Sequence, residues 1–400
     1  MAALLEGIRV LDLTNVLAGP FCCYQLGQLG AEVVKVEVPG TGDLARQLGA
    51  DPQLNAGLMG ASFLAQNAGK RSMTLNLKHP DGRAAFEKLV ATADVLVENF
   101  RPGVMRRLGL DAAHLRTIRP QLVYCAISGF GQDGPLSGNP AYDQIIQGMA
   151  GVMSVTGDRT SAPLRVGYPV ADTMGGITAA FAIAAALVRA RSTGEGETID
   201  VSMLESTLVA MGWAVSNWLI AGREASPLGN ENMTAAPSGT FRTGEGLLNI
   251  AANRQQQFES LCRLIDRPEL IDHPDYADRE DRKRNRDALR GEIERGLGSR
   301  TAAQWSTILN EAGVPAGEVL SVRQILDHPQ VETRELIRRF DKVPGVDRDI
   351  SVVRAGFRLA SGDPAPATPP PGLGADTDAI LAELGLTSDE IDAMRREKAI

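Results

Sequence analysis

Residues 7–20 read G-I-R-V-L-D-L-T-N-V-L-A-G-P and residues 29–38 read L-G-A-E-V-V-K-V-E-V. The apolar run at 8–13 predicts a short strand, Pro20 opens a helix that ends near Gly30, and the β-branched run at 32–38 predicts a second strand. The alternation continues: Pro80 and Asp81 start a helix to about Ala93, and strands are expected at 73–77, 94–97 and 122–127. Strands alternating with helices require right-handed crossovers and a mostly parallel sheet covered on both faces, the mark of an α/β fold. Open parallel sheets bind ligands beyond the carboxyl ends of their strands. That directs attention to four loops: N-V-L-A-G-P (15–20), P-G-T-G-D (39–43), N-F-R-P-G (99–103) and S-G-F-G-Q-D-G-P (128–135).

A chain of 400 residues, 44% hydrophobic and 22% charged, is long enough for two or three domains and is neither disordered nor fibrous. With only 10 Phe, 3 Trp and 5 Tyr, its core must be aliphatic. The four cysteines form no C-x-x-C spacing and no disulfide framework, so a reducing, cytoplasmic location is expected. Histidines 79, 114, 273 and 328 lack zinc-binding spacings, so no metal is expected. A net charge of −8 argues against nucleic acid as a partner, and an anionic ligand would need a local basic patch. Residues 1–7 carry no leader pattern. The most apolar run, 174–188, falls short of the roughly 20 residues that span a bilayer and predicts a helix buried inside the protein, with no membrane partner.

Near residue 222 the composition shifts to Gly, Ser, Asn and Pro, followed by a strand at 247–251 and a charged helical stretch at 275–300. In that stretch R-K-R-N-R (282–286) has acidic neighbours Asp278, Glu280, Asp281 and Asp287, and it reads as a solvated helix face. The expected organisation is a large α/β domain over 1–224, a small domain over 225–330, and 331–400 as a proline-rich connector and a C-terminal helix at 376–398.

Gly40-Thr41-Gly42-Asp43-Leu44-Ala45 fits G-x-G-x-x-A after a strand, but no carboxylate follows at the spacing a dinucleotide site needs, which leaves a glycine turn or a backbone phosphate cradle. Walker A, G-x-S-x-G and H-E-x-x-H patterns do not occur. Asp172, in V-G-Y-P-V-A-D-T-M-G-G-I-T-A (166–179), precedes the most apolar helix. It would serve as an N-cap, or as a carboxylate nucleophile that the helix terminus keeps ionised, with Gly175 and Gly176 admitting a substrate. Lys70, Arg71, Lys78, Arg101, Arg106 and Arg107 flank strand ends and form a candidate polyphosphate patch.

The segments at 7–20, 29–37 and 40–43, K-R-S (70–72), V-E-N-F-R-P-G (97–103), S-G-F-G-Q-D-G-P (128–135) and P-P-G-L-G (370–374) together resemble class III coenzyme A transferases, in order and over nearly the whole chain. The resemblance implies a Rossmann-like large α/β domain with a parallel sheet, a smaller inserted α+β domain, and an interlocked homodimer. It implies that Asp172 is the catalytic carboxylate. It also implies coenzyme A contacts at Leu17, Ala18, Leu75, Asn76, Leu77, Lys78, Asn99, Phe100, Arg101, Arg107 and Tyr142. The acyl-CoA is then a substrate, the second substrate is a carboxylic acid, and no further cofactor is needed.

The chain departs from the formyl-CoA transferases at Leu17 and Val38, where they carry Gln and Arg. It departs from the α-methylacyl-CoA racemases at Ala141-Tyr142-Asp143, where they place a histidine before the aspartate. The segment 247–262 looks most like the succinyl-CoA-dependent members acting on glutarate, itaconate, mesaconate or malate. The expected activity is transfer of coenzyme A between two carboxylic acids through aspartyl anhydride and aspartyl-CoA thioester intermediates. A racemase or isomerase on the same fold, or a noncatalytic acyl-CoA-binding protein, are the alternatives. Arg46 and Arg254 are candidates to meet the far carboxylate of a dicarboxylic acceptor.

Overall fold

The computed structural model describes residues 3–400; Met1 and Ala2, part of the N-terminal stretch read above for a leader, lie outside the described residues. Strands β1 (Arg9–Asp12), β2 (Glu32–Glu37), β3 (Lys70–Thr74), β4 (Val95–Glu98), β5 (Val123–Ser128) and β6 (Thr198–Ser202) form one sheet in the order β3-β2-β1-β4-β5-β6. Every pairing is parallel, as the strand and helix alternation predicts. The chain winds outward from β1 to β3 and then crosses to the other side of β1 for β4. The winding therefore reverses between β1 and β4, and the loops leaving those strands flank a crevice.

The chain divides into two compact units. The first holds this sheet and comprises the described residues up to Val152, Arg165–Arg223 and Glu332–Ile400. Within it lie helices α1 (Ala18–Gln28), α2 (Pro80–Val90), α3 (Asp143–Met149), α4 (Val170–Thr193), α5 (Met203–Ala210), α6 (Trp213–Ala221) and α7 (Ser388–Arg396). Successive strand residues point to opposite faces. Val10, Val33, Val95 and Val123 enter one core with Cys22, Leu26 and Ile183, whereas Leu11, Val34, Leu96 and Tyr124 enter another with Phe86, Leu89, Ile380 and Met394. Burial on both faces is why these strands read as unbroken apolar runs.

The run at 174–188 belongs to α4, whose 24 residues are long and apolar enough to cross a membrane by length and composition. Complete burial, as its apolarity suggests, is not what the fold provides. Ala179, Ile183 and Leu187 face the sheet and are buried, while Ile177, Phe181 and Val188 on the outward face are exposed. Trp213, Trp218, Leu219 and Ile220 of α6, a helix with no buried residue, are exposed as well.

The second unit comprises Met153–Leu164 and Glu224–Val331, so residues 153–164 group with it and not with the residues on either side of them. Its sheet is antiparallel, β7 (Ser238–Arg242), β8 (Leu247–Ala251) and β9 (Ala316–Glu318) in that order, and its core gathers Phe241, Phe258, Leu261, Ile293 and Trp305. The charged stretch forms helices Arg279–Arg284 and Arg286–Leu297. Lys283 and Arg284 pair with Glu280 and Asp281 on their own helix, as a solvated face should. Arg282 departs from that reading: it is buried, donates to the carbonyls of Ala236 and Tyr276, and lies 4.3 Å over the Phe258 ring.

Candidate active site

Asp172 sits in the first turn of α4, three residues after the N-cap Pro169. It is not the cap. The capping carboxylate comes from Asp143 at the start of α3, whose Oδ1 accepts the Ala171 N–H at 2.9 Å and whose Oδ2 accepts Gln147 Nε2 at 2.7 Å. Gln147 in turn accepts the Val166 N–H at 2.8 Å and donates to the Tyr168 carbonyl at 3.3 Å. One helix thus holds both the approach to α4 and its first turn. Among the described residues no hydrogen bond reaches the half-buried Asp172 carboxylate. Burial, assisted by the nearby Asp143 charge, raises its pKa from the ordinary carboxyl value to about 7. The helix terminus alone was expected to keep this group fully ionised; desolvation outweighs it.

Gly175 and Gly176 are buried, and protein fills the space that a substrate was expected to use. A Cβ on Gly176 would lie 2.6 Å from the Ala18 carbonyl and 3.0 Å from Phe21, and one on Gly175 would lie 3.0 Å from Met203. Residues four apart share a helix face. The close approach at Gly176 therefore sets the start of α1, with Leu17 as its N-cap and Ala18 its first residue, one turn along the helix from Asp172.

The loops leaving β1 and β4 are stitched together by one carboxamide. Asn99 Oδ1 accepts the Asn15 N–H and Asn99 Nδ2 donates to the Asn15 carbonyl, both at 2.8 Å. Beneath them lies a buried ionic network: Lys70 to Asp12 at 2.8 Å, Lys35 to Asp43 at 2.9 Å, and Lys35 to the Thr14 carbonyl at 2.8 Å. Burial pushes the Asp12 carboxyl up, but Lys35 and Lys70 overcome it and hold the group well below the usual carboxylate range. Asp43 also accepts the Val16 N–H at 2.9 Å, fixing Val16 at a φ of 68° that a β-branched residue rarely adopts. At the end of β4, buried Glu98 accepts the Phe100 N–H at 2.8 Å and Tyr124 Oη at 3.2 Å, which orients the turn carrying Asn99, Phe100 and Arg101. Burial raises Glu98 to about 7 against the lowering effect of these two bonds.

The candidate basic patch shrinks in the structure. Lys70 is buried on Asp12, and Arg71 is engaged by Glu32 at 2.8 Å and Glu383 at 2.7 Å. Lys78, Arg101, Arg106 and Arg107 are exposed and make no ion pair among the described residues. Lys78 lies in the loop after β3 and Arg101 in the loop after β4, strands that stand three spacings, or about 14 Å, apart in the sheet. That span suits an extended polyanion. Ala18 and Leu75 are buried, so only their backbones could meet a ligand; Asn76, Leu77, Asn99 and Phe100 are half-buried. Tyr142 caps α3 beside Asp143 and is largely exposed.

Arg46 does not await an anion. It is fully buried, forms a bidentate pair with Glu37 (2.7 and 2.8 Å), and lies 3.7 Å over the Phe63 ring. Arg254 is exposed at the N-cap of Gln255–Leu264 in the second unit. The G-T-G-D loop is a hydrogen-bonded turn in which the Gly42 N–H is given to the Val38 carbonyl and the Asp43 N–H to Glu37, so neither of these two amides is free to cradle a phosphate. In S-G-F-G-Q-D-G-P the Gly131 and Gln132 amides are held by Ser128 and Asp200, so neither is a free oxyanion donor. A ring nitrogen of His79 and the carboxylates of Asp81 and Glu397 lie within 4.8 Å of one another, and His79 Nδ1 accepts the Asp81 N–H as the cap of α2.

Sequence reasoning missed Asp143, Glu98 and the Asp12, Lys35 and Asp43 network. Its one available signal was charge inside apolar strands, as at Lys35 in E-V-V-K-V-E.

Comparison with known proteins bears on the whole chain. It is 40% identical to the acetyl-CoA:oxalate CoA-transferase of Acetobacter aceti, over 83% of this chain and 85% of that one. It is 36% identical to the human succinyl-CoA:glutarate CoA-transferase, over 95% of this chain and 86% of that one. The crystal structure of a CAIB/BAIF family protein from Brucella suis superimposes with a TM-score of 0.84 at 32% identity, covering 96% of this chain and 100% of that one. The model of CoA-transferase family III matches residues 5–377, and the chain belongs to that family.

Proposed function

We propose that the chain moves coenzyme A from succinyl-CoA to a dicarboxylic acid, with Asp172 as the nucleophile. The observation that carries this is the Asp172 carboxylate, half-buried, unbonded among the described residues and raised to about 7 at the start of α4. A carboxylate stripped of hydrogen bonds is a stronger nucleophile than a solvated one. It attacks the donor thioester carbonyl, forming a mixed anhydride and expelling the coenzyme A thiolate. The thiolate then attacks the aspartyl carbonyl, releasing succinate and leaving an aspartyl-CoA thioester. The acceptor carboxylate attacks that thioester and expels the thiolate again. Attack of the thiolate on the acceptor carbonyl frees Asp172 and forms the new acyl-CoA. Each thioester lost is matched by one gained, so the sequence calls for no ATP, metal or further cofactor.

In this reading Asn99, Phe100, Arg101, Arg107, Tyr142 and the backbones of Leu17, Ala18 and residues 75–78 hold the coenzyme. The bare apolar face of α4 and α6 is covered by a second copy of the chain, giving an interlocked homodimer. Four free, buried cysteines suit a cytoplasmic setting. The names of the relatives, which specify oxalate and glutarate, support a dicarboxylate acceptor. Incubation of the protein and succinyl-CoA with glutarate, mesaconate, itaconate, malate and oxalate in turn, read by mass spectrometry, should yield the thioester of at least one. Transfer to monocarboxylates alone would contradict the reading.

A further inference from the structure

The C-terminal residues form a wall of the loop that follows β3. The Asn76 N–H donates to the Ala399 carbonyl at 2.8 Å. The Asn76 carboxamide then clasps two lysine backbones, accepting the Lys78 N–H on Oδ1 at 3.1 Å and donating from Nδ2 to the Lys398 carbonyl at 3.4 Å. Ala399 is fully buried and locks this arrangement, and Lys398 itself is exposed.

The backbone of Lys398 is unusual for its residue type. α7 ends at Arg396 with Glu397 as the C-cap, and Lys398 follows with a φ of 61°. The Lys398 N–H bonds to the Arg395 carbonyl at 3.2 Å and the Ala399 N–H to the Met394 carbonyl at 2.8 Å. These two bonds make a Schellman motif, whose left-handed position is normally glycine. A lysine there is strained where glycine would not be. Its cation has no carboxylate within ion-pair distance among the described residues, and neither has that of Lys78. Asp81 and Glu397, the nearby acids, gather instead around His79. One carboxamide therefore holds the backbones of two lysines whose cations are unpaired among the described residues.

We propose that Lys398 is a further coenzyme-binding residue, acting with Lys78 on a phosphate of the acyl-CoA, and that Asn76 is the positioning residue that brings the two lysines together. The inference rests on the coenzyme A reading above. The chemistry recognised is a phosphate, either the 3′-phosphate or the pyrophosphate of the coenzyme.

The test is Lys398→Gly, which suits the left-handed position and preserves the fold, with Lys398→Asn as a second replacement tolerant of that conformation. Titration calorimetry with coenzyme A on the full chain should show Kd raised about tenfold in both, as expected for loss of one charge-assisted contact, and restored to within about twofold of the original chain in Lys398→Arg. KM for succinyl-CoA should rise in parallel with kcat unchanged. Weakening for coenzyme A but not dephospho-coenzyme A would assign the 3′-phosphate, and weakening for both would assign the pyrophosphate. Unchanged Kd in both variants, with the unmodified chain binding normally, would overturn the role of Lys398 alone. Failure of the unmodified chain to bind coenzyme A would overturn the underlying reading as well.

Discussion

At the scale of single residues, the chemistry turns on the difference between two neighbouring aspartates. Asp143 spends its oxygens on Ala171 and Gln147. Asp172 has no such partner among the described residues and carries the cost of burial. Its native pKa lies above the unfolded value, so the native state binds a proton more tightly between about pH 4 and 7, and ionisation destabilises the fold as pH rises through that window. Asp172→Asn should therefore be more stable than the unmodified chain at pH 8, by up to about 4 kcal/mol. The gain should disappear near pH 4, as urea unfolding at the two values will show. In the unmodified chain kcat/KM should climb as pH approaches about 7 and then level, because only the ionised Asp172 carboxylate attacks. The position of Asp172 at a helix start was legible in the sequence, but its acidity was not, because it is set first by burial under tertiary packing and then by Asp143, which lies on another helix. Lys70, Arg71 and Arg46 misled for the same reason: their partners Asp12, Glu383 and Glu37 are supplied by tertiary packing, which leaves no local pattern.

At the scale of elements, the buried strands were the legible ones. β1, β2, β4 and β5 are covered on both faces and read as apolar runs. β6, T-I-D-V-S, is an edge strand whose first three residues are not buried, and its polar sequence gave no such run. β7, S-G-T-F-R, is hidden in a segment whose composition reads as loop. The helix expected over 376–398 is two, Thr377–Glu383 and α7, separated at Gly385 with its φ of 85°. The contact of α4 with α1 positions the site, and it depends on a missing side chain. Gly176→Ala would place a methyl 2.6 Å from the Ala18 carbonyl, against backbone that has little room to yield. The expected cost is about 1–3 kcal/mol in a denaturant titration, with a loss of activity because Leu17 and Ala18 shift relative to Asp172. An unaffected Gly176→Ala chain would show that this packing does not set the site.

At the scale of the whole molecule, the net charge of −8 is no obstacle to a polyanionic substrate, because a few unpaired cations at the strand ends supply the local field. Acidic partners neutralise many of the other basic residues. Helices α4 and α6 expose Phe181, Val188, Trp218, Leu219 and Ile220, large apolar side chains of the kind that mark an interaction surface when they form one patch. Sedimentation velocity should find a dimer, and Phe181→Glu with Trp218→Glu should shift it to monomer or to aggregate; a monomeric unmodified chain would contradict the proposed assembly. The central claim concerns one covalent bond. The protein should be incubated with succinyl-CoA in the absence of any acceptor, digested, and searched by peptide mass for a coenzyme A adduct. The account predicts that adduct on Asp172 and its absence in Asp172→Asn. An adduct on another residue, or full transfer activity in the Asn variant, would contradict it.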